Sequence, residues 1–174
     1  KNFHGNKFIS EAINKGAKYI ITDAPLKKKY LNIIKVKNTL DFLQSIAIKK
    51  RNLYKGKVIG ITGSVGKTSV KENLRYFLSK YYKVSASIKS YNNHLGVIIS
   101  ILNQDLKSDF AIYEIGTNNF LEISKLTSIL RPEQVIITNI FPTHLESFGS
   151  TENIAKEKSD IFEKKFNTKI KMAI

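Results

Sequence analysis

The chain has 174 residues, of which 42% are hydrophobic and 25% charged, as in a folded globular protein rather than a disordered one. No apolar run is long enough to cross a membrane, so we expect no membrane insertion and a cytoplasmic location. Cysteine is absent, which excludes disulfides and thiolate metal sites.

The formal net charge of +15 raises the possibility of nucleic-acid binding. Only three of the 29 basic residues are arginine, however, and the lysines are scattered through every segment. Proteins that bind nucleic acids usually gather their basic residues into one patch that includes arginines. We therefore expect no nucleic-acid partner and an anionic small-molecule substrate instead.

The first 55 residues alternate between helix and strand patterns. Apolar residues from 8 to 13 predict a short helix that ends at Gly16. Strands are predicted at residues 19–21 and 32–36, and Asn38 or Thr39 is a candidate cap for the next helix. The polar stretch 52–56 ends in glycine and is interpreted as a linker.

Residues 57–69 carry the strongest pattern in the chain. An apolar strand leads into a turn bracketed by Gly63 and Gly66, and a helix with one apolar face follows. Such a turn is typical of a phosphate-binding loop, in which Lys67 reaches the outer phosphates and Thr68 binds Mg²⁺. The general motif has a glycine where this chain has Ile61, so Gly63 would supply the flexibility.

Polar residues follow the later predicted strands. Glu114 ends a buried strand, where it would either bind Mg²⁺ opposite Thr68 or form a surface salt bridge. His144 follows the predicted strand 134–138, where it would either be a metal ligand or a solvated loop residue. Asn92 and Asn93 precede a glycine, which is typical of a turn, although their amides are also suited to binding a substrate.

The helix predicted after Ser150 carries an unusual residue. Ile154, Ile161, Phe162 and Phe166 define one apolar face, and Lys158 falls on that face. A lysine that faces inward must extend to the surface, pair with an acid or lose its charge.

Several of these segments resemble the Mur ligases, a family that joins an amino acid or peptide to a carboxylate with ATP. The segment Thr62-Gly-Ser-Val-Gly-Lys-Thr-Ser69 is similar to the family's nucleotide loop. Tyr91-Asn-Asn-His-Leu-Gly-Val97 resembles the signature of the branch that adds D-alanyl-D-alanine (D-Ala-D-Ala) to UDP-N-acetylmuramoyl-tripeptide (UDP-MurNAc-tripeptide). Ile98 stands where that signature usually has proline.

Three further segments carry the same resemblance. Glu114-Ile-Gly-Thr-Asn118 is similar to the family's Glu-Met-Gly-Ala-Asn, and residues 139–149 resemble its Thr-Asn-Ile-x-x-x-His-Leu-Glu. Residues 154–161 resemble the family segment whose second lysine is carbamylated by CO₂. Residues 3–17 resemble the family's first domain, although His4 stands where that domain usually has aspartate.

The resemblance implies a role for each candidate residue. The catalytic residues would be Lys67, His144 and Lys158, with Asn92 and Asn93 contacting the substrate. ATP would be bound by the loop residues Thr62, Gly63, Ser64, Val65, Gly66, Lys67, Thr68 and Ser69. Two Mg²⁺ ions would be held by Thr68, Glu114, His144 and a carbamylated Lys158. Carbamylation needs the neutral amine of Lys158. Burial would favour that form, because it lowers the pKa of a lysine.

The predicted fold is α/β, P-loop ATPase-like, with a largely parallel sheet flanked by helices. We expect residues 1–55 to be part of an N-terminal UDP-substrate domain and residues 56–174 to be an incomplete central ATP-binding domain, without the C-terminal domain. The resemblance implies a monomeric ligase that acts in peptidoglycan precursor synthesis. We expect the 174 residues alone to be inactive as a ligase.

Three alternatives remain open from the sequence. A different amide ligase of the Mur or folylpolyglutamate synthase type would accept another amine. A P-loop kinase would transfer phosphate to a hydroxyl group. A basic nucleic-acid module would lose binding as salt rises and would tolerate loss of Lys67.

Overall fold

The computed structural model describes residues 5–25 and 32–174. The chain divides into two compact units, Lys1–Ile46 and Ala47–Ile174. The start of the segment that resembles the first domain of the Mur ligases, residues 3 and 4, lies outside the described residues. Within the described residues, no helix is long and apolar enough to cross a membrane.

The first unit has the alternating pattern predicted from the sequence. A 3-10 turn at Gly5–Phe8 leads into α1 (Ile9–Asn14), and two short strands follow, β1 (Ile20–Thr22) and β2 (Ile33–Lys35). The strands pair in parallel. The long helix α2 (Thr39–Leu53) begins in this unit, and the Asn38 side chain accepts hydrogen bonds from the backbone N–H groups of Leu40 and Asp41 at 2.8 and 3.0 Å.

The second unit is a five-stranded parallel sheet flanked by helices, which confirms the predicted fold class. The strands lie in the order β4-β5-β3-β6-β7. In chain order the elements are β3 (Lys57–Thr62), α3 (Lys67–Leu78), β4 (Val84–Ala86), α4 (His94–Asn103), β5 (Phe110–Glu114), α5 (Glu122–Leu130), β6 (Gln134–Ile137), α6 (Leu145–Phe148), α7 (Thr151–Ser159) and β7 (Met172–Ala173).

Strand β3 lies at the centre of this sheet, paired with β5 on one side and β6 on the other, and its residues from Val58 to Thr62 are buried. Ile59 and Ile61 are buried with Ile112 of β5, and the apolar face of α3 packs against them. Parallel pairing brings the carboxyl ends of β3, β5 and β6 to one edge of the sheet. The loops that follow these strands carry the candidate site residues, and ligands commonly bind at such an edge.

Two helices are shorter than the sequence predicts. The apolar residues between 120 and 130, followed by Pro132, predict a helix over residues 120–130. Helix α5 instead begins at Glu122, because the Glu122 carboxylate accepts hydrogen bonds from the backbone N–H groups of Asn118 and Asn119 and turns the chain first. The last helix ends at Ser159, so Phe162 and Phe166 lie in turns rather than on its face. Backbone bonds that reach back three residues replace the α-helical pattern there.

The stretch interpreted as a linker, residues 52–56, is exposed at Asn52, Leu53 and Lys55 but is anchored at Tyr54. Helix α2 continues to Leu53, Tyr54 is 2% exposed and its hydroxyl lies 3.2 Å from Ser108 Oγ. The division between the two compact units falls inside α2. The assignment of residues 1–55 and 56–174 to separate domains stays a prediction.

The second unit also contains a buried arginine that the sequence did not single out. Arg51 of α2 has no exposed surface, and its guanidinium donates to the backbone carbonyls of Leu130 and Arg131 at the carboxyl end of α5. It also lies 3.4 Å from the Glu133 carboxylate. Arg51 therefore supplies hydrogen-bond donors to the last carbonyls of α5. It also balances the charge of Glu133, whose carboxylate accepts from the Val58 N–H near the start of β3.

We predict that Arg51→Met lowers the free energy of unfolding by about 3 kcal/mol, because it leaves buried carbonyls and a carboxylate without their donor. The control is Arg75→Met on α3, whose guanidinium is 53% exposed in its pair with Glu72. An exposed pair contributes little, so this variant should stay within about 0.5 kcal/mol of the wild type. Urea denaturation measures both, and equal losses would contradict the prediction.

Candidate functional site

The turn between β3 and α3 requires glycine at two positions. Gly63 has φ 144° and Gly66 has φ 80°, both in the region that side chains disfavour. At Gly63 an added Cβ would also lie 2.0 Å from Thr138 Oγ1. The sequence predicts that Gly63 supplies the backbone freedom for which the general motif uses a glycine at the position of Ile61. The positive φ of Gly63 confirms this prediction.

The segment after β6 holds this turn in place. Asn139 accepts from the Ser64 N–H through its carbonyl at 3.1 Å and from the Val65 N–H through Oδ1 at 3.0 Å. Thr138 Oγ1 donates to the Val65 carbonyl at 2.7 Å. These bonds use the N–H groups at the start of the turn, whereas no side chain caps the first turn of α3. The amino end of α3 is therefore open to an anion.

Lys67 is the first residue of α3 and its ammonium lies over the turn. Its Nζ donates to the carbonyls of Gly63 at 2.7 Å and Ser64 at 3.1 Å. Burial lowers the pKa of Lys67, and the negative charge of Glu114 partly opposes this effect.

Glu114 lies at the carboxyl end of β5 and is 2% exposed. Its Oε2 accepts from Thr68 Oγ1 at 2.8 Å, and its Oε1 accepts from Asn92 Nδ2 at 2.7 Å. The structure thus brings Thr68 and Glu114 together, as the metal-binding prediction requires. The alternative of a surface salt bridge is excluded by the burial of Glu114.

The two adjacent asparagines have partners within the chain. Asn92 donates to Glu114, and Asn93 caps α4 by accepting from the Gly96 N–H at 2.8 Å. Both residues also line a cavity at this edge of the sheet. Their contact with a substrate stays a prediction. The hydrogen bond to Glu114 and the cap of α4 are structural roles that the sequence did not predict.

Lys158 lies on α7 and is 3% exposed, so it faces inward as the apolar spacing predicted. Burial, and secondarily the charge of Lys67, lower its pKa to about 8, while the charge of Glu157 acts in the opposite direction. His144 precedes α6 with φ 55° and is exposed.

A cavity of about 300 Å³ brings many of the predicted residues together. It is lined by seven of them: Gly63, Ser64, Lys67, Asn92, Asn93, His144 and Lys158. Thr68 and Glu114 form the hydrogen-bonded pair beside it. Four loop residues are placed differently, because the Thr62 side chain is fully buried and Val65, Gly66 and Ser69 are exposed outside the cavity lining.

Two buried charged residues at this site were missed from the sequence. Glu157 is 3% exposed and accepts from the backbone N–H groups of Leu121 at 2.8 Å and Ile123 at 2.9 Å, which holds the turn before α5. Lys71 has no exposed surface and lies 3.9 Å from Glu114. The helical spacing could have predicted that both residues face inward, since Glu157 is three residues after Ile154 and Lys71 is on the inward side of α3.

Within residues 5–25 and 32–174, no three His, Asp or Glu side chains gather into a cluster that could hold a metal ion. A metal held by the Thr68–Glu114 pair would thus need its remaining ligands from outside this pair, such as water or phosphate oxygens.

Comparison with known proteins gives a consistent result. Residues 61–174 match the family model of the Mur ligase middle domain. The chain is 42% identical over 162 residues to UDP-N-acetylmuramoyl-tripeptide–D-alanyl-D-alanine ligase of Rickettsia prowazekii (strain Madrid E), covering 92% of this chain and 36% of that protein. The chain therefore spans a little over a third of the length of that relative.

Solved structures give the same result for the fold. A crystal structure of MurF from Acinetobacter baumannii is similar with a TM-score of 0.86 and 29% identity, over 93% of this chain and 36% of that chain. The MurF ligase of Thermotoga maritima, solved in complex with ADP, is similar with a TM-score of 0.83 and 32% identity, over 92% of this chain and 38% of that chain.

We predict that Gly63→Ala costs at least about 2 kcal/mol of stability, because the backbone angle and the Thr138 hydroxyl both exclude a Cβ. Gly66→Ala is the matched control, since its φ is also positive but nothing lies within 4 Å of an added Cβ. Backbone strain alone should cost it about 1 kcal/mol. Urea denaturation compares the two, and an equal loss would refute the role of Thr138.

Proposed function

Because this chain belongs to the Mur ligase family, we propose that the full-length protein uses ATP to add D-Ala-D-Ala to UDP-MurNAc-tripeptide. The observation that carries the proposal is the pairing of Thr68 with the buried Glu114 beside Lys67 and the open end of α3. The name of the Rickettsia relative supports the choice of substrates. The double-asparagine segment supports it independently, because both asparagines line the same cavity.

The turn and α3 are suited to the phosphates of ATP. The first turn of α3 lacks a side-chain cap, so its N–H groups and the positive end of the helix dipole can face an anion. Lys67 adds a positive charge at the same position. The similarity to a MurF solved with ADP supports nucleotide binding at this turn.

Thr68 and Glu114 are suited to Mg²⁺. Their oxygens are 2.8 Å apart, and neighbouring ligands of an octahedral Mg²⁺ at 2.0–2.1 Å are about 2.9 Å apart. Both are hard oxygen donors, which Mg²⁺ prefers, and the remaining positions suit water and phosphate oxygens. When bound, the ion would neutralise charge on the phosphates.

The proposed reaction has two steps. The γ-phosphoryl group of ATP moves to the terminal carboxylate of the tripeptide, which releases ADP and forms an acyl phosphate. The amine of D-Ala-D-Ala then attacks the acyl carbon, loses a proton and expels phosphate, which leaves the amide. Lys67 would hold the transferring group in line, because its ammonium lies at the amino end of α3 beside the cavity.

We assign a second Mg²⁺ to the region of His144 and Lys158, provided that Lys158 is carbamylated. A lysine ammonium has no lone pair and would repel the ion, whereas its carbamate is an anion with oxygen donors. The burial of Lys158 favours the neutral amine that reacts with CO₂, since its pKa is lowered to about 8. Both residues line the same cavity as Lys67.

We further propose that residues 1–55 contribute to binding the UDP part of the substrate, and that the protein works as a cytoplasmic monomer. The chain covers 36% of the Rickettsia relative, so the proposed activity is that of the full-length protein.

The test supplies the full-length protein with ATP, Mg²⁺, UDP-MurNAc-tripeptide and one amine acceptor at a time, and measures phosphate release. We expect release with D-Ala-D-Ala and little with single amino acids. Lys67→Ala should reduce the rate on the order of 10²–10³-fold, because a charge at the transferring phosphate is lost. Lys80→Ala, an exposed lysine just after α3, is the control and should keep the wild-type rate.

Two outcomes would contradict this proposal. Equal phosphate release with unrelated amines would point to another amide ligase. Phosphate release that does not depend on the amine, or full activity of the Lys67 variant, would exclude the proposed use of the nucleotide loop.

We predict that ¹³C-labelled bicarbonate gives a carbamate NMR signal that depends on Lys158. The signal should be stronger at pH 9 than at pH 7, because a group with a pKa of about 8 is about 10% neutral at pH 7 and about 90% neutral at pH 9. Lys158→Arg should remove the signal. Lys156→Arg, at an exposed position of the same helix, should retain it, and a signal that survives in the Lys158 variant would refute the assignment.

A further inference from the structure

Lys71 is a buried cation that the proposed mechanism does not use. It lies on α3, one turn after Lys67, and has no exposed surface. Its Nζ donates to the backbone carbonyls of Ser87, at 2.9 Å, and Lys89, just beyond β4. An ammonium is rarely buried so completely unless a negative charge balances it.

The balancing charge is Glu114. Lys71 Nζ lies 3.9 Å from Glu114 Oε2, the same oxygen that accepts from the Thr68 hydroxyl. Lys71 also lies 3.3 Å from Glu72, but that carboxylate is 42% exposed and is bonded to Arg75 at 2.7 Å. Solvent and Arg75 weaken the pull of Glu72, so the buried Glu114 is the stronger partner.

The pairing has a consequence for metal binding. A buried carboxylate without a cation would attract any divalent ion that entered the site. With Lys71 beside it, the pair has no net charge, and Lys67 adds further positive charge nearby. Free Mg²⁺ therefore meets a site that is neutral or positive until phosphate oxygens supply negative charge.

We propose that Lys71 is a positioning residue that acts as a resident cation for Glu114. It stabilises the carboxylate before the metal arrives and prevents free Mg²⁺ from binding, so that the ion enters only together with nucleotide phosphates. This inference rests on the proposed function in one respect, because it takes Glu114 as a magnesium ligand. It adds a reason why the site discriminates between free Mg²⁺ and its nucleotide complex.

The same lysine ties the metal site to the segment that follows β4. Its two carbonyl acceptors hold residues 87–89, where Lys89 has φ 49°. Just beyond, Ser90 Oγ lies 3.3 Å from Thr68 Oγ1 and Asn92 donates to Glu114. Lys71 therefore holds the segment in a shape that presents Asn92 to the carboxylate.

The test measures the melting temperature of the full-length protein without nucleotide, in EDTA and in millimolar Mg²⁺. Wild type should show almost no shift with Mg²⁺ alone. Lys71→Met keeps the length of the side chain and removes the charge, so its melting temperature in EDTA should fall by about 10 °C. Mg²⁺ alone should then recover several degrees, because the ion replaces the missing cation.

A double variant separates charge from packing. Lys71→Met combined with Glu114→Gln removes both charges, so it should melt higher in EDTA than Lys71→Met and should lose the response to Mg²⁺. Lys80→Met is the control for loss of a surface charge and should behave as wild type. A purely structural role for Lys71 would lower the melting temperature of Lys71→Met but would leave it without a response to Mg²⁺, and this result would overturn the proposal.

Hydrogen exchange provides a second measurement that needs no variant. In wild type, the backbone N–H groups of Ser87 and Tyr91, which donate to the carbonyls of Ile112 and Ile88, should already be protected in EDTA, because Lys71 holds the segment without metal. Protection that develops only with Mg²⁺ and ADP would overturn the proposal. The proposed function fails separately, if wild type shows no magnesium-dependent affinity for ADP.

Discussion

The hydrogen bond between Thr68 and Glu114 joins the two halves of the site. One partner belongs to the first turn of α3 and the other ends β5, and they meet because β3 and β5 are neighbours in a parallel sheet. Burial makes the Glu114 carboxylate costly unless every oxygen has a partner. Thr68 and Lys71 supply those partners from α3, and Asn92 supplies one from the loop before α4. Each segment is therefore held in position by the need to satisfy one charge.

Lys71, Lys67 and Lys158 all lie near this site, and their surroundings give them different properties. Lys71 is fully buried, yet backbone carbonyls and Glu114 stabilise its charge. Lys67 donates to carbonyls of its own turn and stays half-buried at the cavity. Lys158 has Glu157 as its neighbour in sequence, but the oxygens of that carboxylate already accept from backbone N–H groups before α5. Its charge is thus less compensated, which agrees with a pKa of about 8.

The sequence predicted those parts of the site that depend on local pattern. The glycine turn, the strand ending in Glu114 and the inward face of Lys158 were all visible from spacing, because each belongs to one strand or helix. The anchoring of the turn by Thr138 and Asn139 was not visible, since it depends on β6 lying beside β3. Helix ends were also misjudged where side chains such as Glu122 compete for backbone N–H groups.

Lys71 and Glu157 show why buried charge is hard to predict from one sequence. Each lies at helical spacing from apolar residues, so the pattern alone marks it as an inward position. What makes each tolerable is a set of acceptors or donors supplied by distant segments: the end of β4 for Lys71 and the turn before α5 for Glu157. A charged residue on an apolar helix face therefore indicates that another segment supplies its hydrogen-bond or ion-pair partner. At this edge of the sheet the partners are themselves parts of the site, which is why both residues bear on its chemistry.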